Sequence, residues 1–193
     1  MEFDQEVAQL AQNKLPSKID NPCVFYGSSS FRLWESLDKD IPELDCLNLA
    51  FGGSQISDCL YYFDKLIGQT EPSRIFFYAG DNDIATEIAP EAIFERFQKL
   101  FEKIQTQFTS VPFAYLSIKP SPIRENLLGN IQQTNALIAN FLKDKKGADF
   151  IDIHTPMLNQ GRPRPELFTE DELHMNASGY AIWAEAIRDY LKK

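Results

Sequence analysis

Short runs of apolar, β-branched and aromatic residues alternate along this chain with longer stretches in which apolar residues recur every three or four positions. Five runs, at 23–26, 46–49, 75–79, 113–118 and 150–153, are apolar on both alternating faces, the pattern of a parallel strand covered on each side. Ile93, Phe94, Phe97, Leu100, Phe101, Ile104 and Phe108 form a stripe of helical period, and Pro90 before it suits a first helical position. Ile131, Thr134, Leu137, Ile138, Phe141 and Leu142 repeat that period. So do Tyr180, Trp183, Ile187, Tyr190 and Leu191, after the polar start Asn176-Ala177-Ser178-Gly179. Phe3, Val7, Leu10 and Ala11 predict an opening helix, with two shorter helices at 31–37 and 57–67. The aromatic residues on these stripes read as core, not as cofactor contacts.

This alternation predicts an α/β protein: a three-layer α/β/α sandwich on a five-stranded parallel sheet with right-handed crossovers. No repeat, low-complexity tract or linker interrupts it, so residues 1–193 read as one domain. A chain of this size buries roughly 70% of its unfolded surface and needs no staples. Cys23, Cys46 and Cys59 are odd in number, lack metal-type spacing and sit in apolar stretches, as reduced core thiols do. That usage, with an acidic N-terminus lacking the basic and apolar regions of a signal peptide, sets the expectation of a cytoplasmic protein. No apolar run approaches membrane-spanning length, so membrane insertion is not expected.

Charge narrows the partners further. Lys and Arg number 19 against 28 Asp and Glu, a formal net charge of -9. A phosphate backbone or anionic membrane surface is repelled by that field, and nucleic acid is excluded as an expected partner.

Four segments carry candidate chemistry, each placed just after an apolar run or near the C-terminus: Gly27-Ser28-Ser29-Ser30, Phe51-Gly52-Gly53-Ser54, Gly80-Asp81-Asn82-Asp83 and Asp171-Glu172-Leu173-His174. If the runs are parallel strands, their C-terminal ends bring a serine, a backbone amide, an amide side chain and an Asp/His pair to one crevice. A serine hydroxyl at a helix start sits where developing negative charge is favoured, although the triplet Ser28, Ser29 and Ser30 would equally cap that helix. Asp171 and His174, three apart, are neighbours if their segment is helical, and such a carboxylate can orient an imidazole. Only His154 competes as base, because the chain has two histidines. Gly53 lets an amide approach a reacting oxygen, and Asn82 offers a side-chain N–H; both residues are also ordinary turn formers.

Together these segments resemble the SGNH hydrolases, the GDSL-type esterases and lipases, over most of the chain. Gly27-Ser28-Ser29 aligns with that family's Gly-Asp-Ser block, Asn48 through Gly53 with its glycine block, Gly80 through Asp83 with Gly-x-Asn-Asp, and Asp171 through His174 with Asp-x-x-His. Ser28 stands where the block has Asp, and Gly-Ser-Ser-Ser followed by Arg32-Leu33-Trp34 resembles a variant subgroup. The resemblance implies a flavodoxin-like sandwich and a serine esterase. Ser29, Asp171 and His174 would be catalytic, Ser29, Gly53 and Asn82 the oxyanion hole, with no cofactor or metal. The implied partner is a small-molecule or glycan ester, with short acyl, O-acetyl and lysophospholipid esters as candidates and a homodimer left open. Arg124, Arg162 and Arg164 lie in loops flanking such a site and read as solvated surface residues that could instead hold an anion. Two other readings use the same residues. Asp58, Asp81, Asp83 and Asp171 could form a metal-dependent phosphoesterase site, or the blocks could be turns and caps of a non-catalytic flavodoxin-like binding module.

Overall fold

The computed structural model of the protein describes residues 2–13 and 20–192. Five parallel strands form one sheet in the order β2-β1-β3-β4-β5: β1 Cys23–Gly27, β2 Cys46–Asn48, β3 Arg74–Tyr78, β4 Phe113–Leu116 and β5 Ala148–Ile151. Register runs Cys23 to Cys46 on one side of β1 and Cys23 to Arg74 on the other, then Ile75 to Phe113 and Phe113 to Ala148. The C-terminal ends of the strands therefore emerge together, as a parallel sheet requires.

Side chains alternate across the sheet into two apolar layers. Val24, Tyr26, Ile75, Phe77, Phe113 and Tyr115 pack on one face against α1 (Asp4–Asn13), α4 (Ile56–Tyr62), α6 (Pro90–Gln107) and α7 (Leu128–Leu142). Cys23, Phe25, Phe76, Tyr78, Ala114 and Leu116 pack on the other against α2 (Ser29–Arg32), α3 (Leu37–Asp40) and α8 (Ala177–Leu191). The three-layer sandwich holds. Both faces being covered explains why the strand sequences show apolar runs and no polar alternation. Pro90 occupies the start of α6, and the Asn176 side chain caps α8 by accepting from the Ser178 and Gly179 N–H groups.

Three local expectations need correction. The helix expected over 31–37 splits into α2 and α3, because Trp34 turns inward and its Nε1 donates to Asp40 Oδ2 at 2.7 Å. The fifth strand begins at Ala148, two residues before the apolar run at 150. Gly147 (φ 75) turns the chain into it, and the Asp152 carboxylate, accepting from the His154 and Thr155 N–H groups, ends the extended path. The stretch 57–67 is α4 followed by two single 3-10 turns, Phe63–Lys65 and Ile67–Gln69.

An aromatic cluster carries α2. Phe31 meets Phe25 at 5.2 Å and Trp183 at 5.7 Å between ring centroids, Trp34 stacks on Tyr180 at 5.1 Å, and Tyr78 meets Trp183 at 4.7 Å. The Tyr180 hydroxyl also donates to the Ser30 carbonyl at 2.9 Å. A four-residue helix has almost no stability of its own, so tertiary packing is what fixes this one.

Gly27 ends β1 at φ 138, and a Cβ there would lie 1.9 Å from the Tyr78 carbonyl oxygen. Gly27→Ala should therefore destabilise the protein by about 3 kcal/mol or more, from strain and overpacking together. Gly129→Ala, in α7 with nothing within 4 Å of the added atom, should be neutral or stabilising by about 0.5 kcal/mol. Denaturant unfolding of the two variants checks both, and equal stabilities would contradict the close-approach account.

Candidate active site

The turn after β1 delivers Ser29. Its backbone is set by the Ser28 N–H donating to the Tyr78 carbonyl at 2.9 Å, so the end of β3 holds the end of β1. Ser28 sits at the N-cap position of α2, yet its side chain makes no cap bond; its Oγ accepts from Asn82 Nδ2 at 2.8 Å. Helix capping is thus not the use of this serine.

The loop after β2 delivers Gly53. Phe51 N–H donates to the Gly27 carbonyl at 3.0 Å and Ser54 Oγ to the same carbonyl at 3.3 Å, fastening this loop to the Ser29 turn. A Cβ on Gly53 would lie 3.8 Å from Asn82 Nδ2, which places the two candidate oxyanion donors side by side. Among the described residues, neither the Ser29 nor the Gly53 N–H has a hydrogen-bond acceptor within the protein.

Asn82 lies in α5 (Asp81–Ala85), which starts directly after Gly80. The segment read as a turn is therefore a helix start. Its Nδ2 donates to Ser28 Oγ and, at 3.2 Å, to the Ser54 carbonyl; its Oδ1 accepts from Arg124 Nη2 at 3.1 Å. Asp83, fully buried, accepts from the Ile56 N–H at 3.1 Å and pairs with Arg96 at 2.8 Å, tying α5 to the Gly53 loop. Burial raises its carboxyl to about 6 against the pull of that N–H and of Arg96.

Asp171 and His174 meet by a different route from the one expected. Their segment is not helical; Glu172 has φ 56, and Asp171 Oδ1 accepts from the Leu173 N–H at 2.9 Å and the His174 N–H at 2.8 Å. Thr169 Oγ1 donates to the same oxygen at 2.7 Å. Asp171 Oδ2 is left for His174 Nδ1 at 2.6 Å, and His174 Nε2 lies 3.2 Å from Ser29 Oγ. A carboxylate can only accept, so Nδ1 carries the proton and Nε2 presents its lone pair to the serine. Burial opposes the Asp171 charge, but the bonds from His174 and Leu173 N–H, the imidazole and Thr169 outweigh it and hold the carboxyl well below the usual range.

His154, the competing base, is elsewhere: buried beyond β5, with Nδ1 3.0 Å from the Ile118 carbonyl. Arg162 and Arg164 pair with Glu125 and Glu166 on the surface, as their solvated reading implies. Arg124 corrects that reading, because its side chain is only 13% exposed and touches Asn82 and Asp81. The acidic-cluster reading also fails. Asp58 caps α4 through the Gln55 N–H, Asp81 pairs with Lys119 at 2.7 Å, Asp83 with Arg96 and Asp171 with His174, so the four carboxylates do not converge.

The family model described as GDSL-like Lipase/Acylhydrolase family matches residues 24–182, a span that contains every group above. The chain belongs to this family. It is accordingly a hydrolase acting on ester bonds, not a non-catalytic binding module. A curated Bacillus subtilis (strain 168) relative, the uncharacterized protein YpmR, is 25% identical across 81% of this chain and 69% of its own length. A Streptococcus pneumonia structure named for platelet activating factor superposes with a TM-score of 0.87 at 18% identity, covering 98% of this chain and 93% of that one. A GDSL-like lipase from Bacteroides thetaiotaomicron VPI-5482 gives 0.82 at 20% identity, covering 98% and 97%. At these identities the two structures speak for the shared fold. No helix among the described residues is long and apolar enough to cross a membrane.

The depressed Asp171 carboxyl has a signed consequence for stability. Its charged form is favoured by folding, so the contribution is fully present above the unfolded value near 3.8, begins to fall below it and is lost only as pH passes through the depressed folded value. Thermal unfolding of wild type and Asp171→Asn should thus differ most at neutral pH, begin to converge below about pH 4 and meet only as pH falls through the depressed folded value, with the effect damped because Asp171 is half exposed. A gap that stays constant down to pH 3 would contradict this.

Proposed function

We propose that the protein hydrolyses short acyl or O-acetyl carboxylic esters, of a small molecule or a glycan, through Ser29, His174 and Asp171. The observation that carries this reading is the continuous contact from Ser29 Oγ to His174 Nε2 at 3.2 Å and from Nδ1 to Asp171 Oδ2 at 2.6 Å. Ser29 Oγ attacks the ester carbonyl as its proton passes to His174 Nε2, and Asp171 stabilises the imidazolium. The Ser29 and Gly53 N–H groups take the charge that develops on the carbonyl oxygen. Asn82 is the third donor. In the free protein both of its N–H bonds are spent, on Ser28 Oγ and the Ser54 carbonyl, so it must exchange one for the oxyanion. The 3.2 Å bond to Ser54 is the longer and the less costly to give up, and catalytic hydrogen bonds commonly tighten only once substrate is bound. His174 then protonates the departing alcohol, and water, deprotonated by the same nitrogen, releases the acid from Ser29.

The surroundings favour small acyl groups. Ser28, Ser54, Asn82, Arg124 and Thr169 make the neighbourhood of Ser29 and His174 polar, and the His174 side chain is 27% exposed. A long acyl chain would leave apolar surface against polar groups that have partners of their own, whereas an acetyl group asks for little burial.

Turnover across a panel of acetyl, butyryl, long-chain acyl and lysophospholipid esters tests this. Acetyl and butyryl esters should be preferred, and activity should survive EDTA. Ser29→Ala should lower kcat by at least about 1,000-fold and Asn82→Ala by about 100- to 1,000-fold, with the fold intact. Undiminished hydrolysis by Ser29→Ala would remove it as nucleophile. A preference for long-chain substrates would overturn the substrate reading alone.

A further inference from the structure

Behind Asn82 lies a buried charge cluster that the mechanism above does not use. Asp81 is almost fully buried, with Lys119 Nζ 2.7 Å from its Oδ2 and Arg124 Nη1 2.9 Å from the same oxygen. Lys119 Nζ also approaches the Tyr78 hydroxyl at 3.4 Å. Burial alone would push the Asp81 carboxyl up, but Lys119 and Arg124 reverse this and keep it below its ordinary value. Two cationic side chains on one carboxylate exceed what pairing requires, so the second cation calls for a separate explanation. Arg124 Nη1, though close to Asp81, makes no aligned hydrogen bond. The directed bond from this guanidinium is Nη2 to Asn82 Oδ1.

A guanidinium has donors and no acceptor, so it accepts only one orientation of the Asn82 amide. Oδ1 must face Arg124, and Nδ2 must then face Ser28 Oγ, Ser54 and Gly53. A cation on the oxygen end of an amide also polarises it, strengthening what its N–H bonds can donate. Arg124 belongs to the 3-10 segment Pro122–Leu127, which is tied to the base loop as well. There the Ile123 N–H donates to the Glu172 carbonyl at 3.3 Å, between Asp171 and His174 in sequence. A single short segment thus touches both the oxyanion amide and the loop that holds the imidazole.

We infer that Arg124, anchored by Asp81, is a positioning residue that locks and polarises the Asn82 amide for oxyanion donation. This rests on the proposed esterase reading for its kinetic consequence, but the amide lock is a property of the free protein and can be read without any substrate.

The experiment compares wild type, Arg124→Met, Arg124→Lys, Asn82→Ala and the double variant Arg124→Met/Asn82→Ala. Asp81 keeps Lys119 as partner in every variant, which protects the fold. With the preferred ester, Arg124→Met should lower kcat roughly ten- to a hundredfold, part of what loss of the donor costs, with KM within about twofold. Arg124→Lys, which can donate but lacks the fork, should recover part of that loss. In the Asn82→Ala background the Arg124 substitution should cost almost nothing more, because it acts through the missing amide. The second readout is side-chain amide NMR, with the Asn82 NH2 pair assigned by its absence from Asn82→Ala. That pair should be well separated and slow to exchange in wild type, and should shift and exchange faster in Arg124→Met. Additive losses in the double variant, a rise in KM alone with anionic esters, or an unchanged amide pair would each overturn the inference. If wild type shows no Ser29-dependent turnover, the esterase reading fails while the NMR comparison still decides the positioning role.

Discussion

The site depends on how closely the chain leaving β1 can approach the chain leaving β3. Gly27 lies where any side chain would meet the Tyr78 carbonyl, and that same carbonyl accepts the Ser28 N–H. The absent Cβ lets the serine turn sit directly beside the start of α5, so that Asn82 reaches Ser28. A second fastening, through the Gly27 carbonyl to Phe51 N–H and Ser54 Oγ, brings the Gly53 loop to the same point. Backbone geometry at one glycine thus sets the spacing among three of the candidate groups, and the aromatic cluster under α2 keeps that geometry rigid.

The parallel sheet makes this convergence legible in the sequence. Runs such as Ile75 to Tyr78, apolar at every position, signalled strands buried on both faces, and parallel strands necessarily end at one edge. Ser29, Gly53 and Asn82 could be placed at that edge because each follows such a run. Asp171 and His174 follow none. Their pairing comes from an Asx-type turn in which Asp171 accepts the His174 N–H while Glu172 adopts a left-handed conformation, and three-residue spacing suggested a helix instead.

Long-range polar contacts were the part the sequence hid. Arg124 looked like one more loop arginine, since nothing local distinguishes it from Arg162 or Arg164. Its burial follows from Asp81, a carboxylate forced inside at the start of α5 that stays charged by pairing with Lys119, 38 residues away, and with the still more distant Arg124. Lys119, placed directly after the apolar run at 113–118, was the available hint that a buried anion lay opposite. Ser28 was hidden in the same way: its place in a serine triplet at a helix start suggested a cap, whereas its hydroxyl accepts from Asn82 Nδ2.

The most direct test of the account is a crystal structure of the protein after reaction with a small alkyl phosphonate ester that leaves a tetrahedral adduct. Phosphorus should be bonded to Ser29 Oγ, with the phosphonyl oxygen within about 3 Å of the Ser29 N–H, the Gly53 N–H and Asn82 Nδ2, and His174 Nε2 facing the remaining ester oxygen. An adduct on another residue, or a phosphonyl oxygen turned away from Gly53 and Asn82, would contradict it.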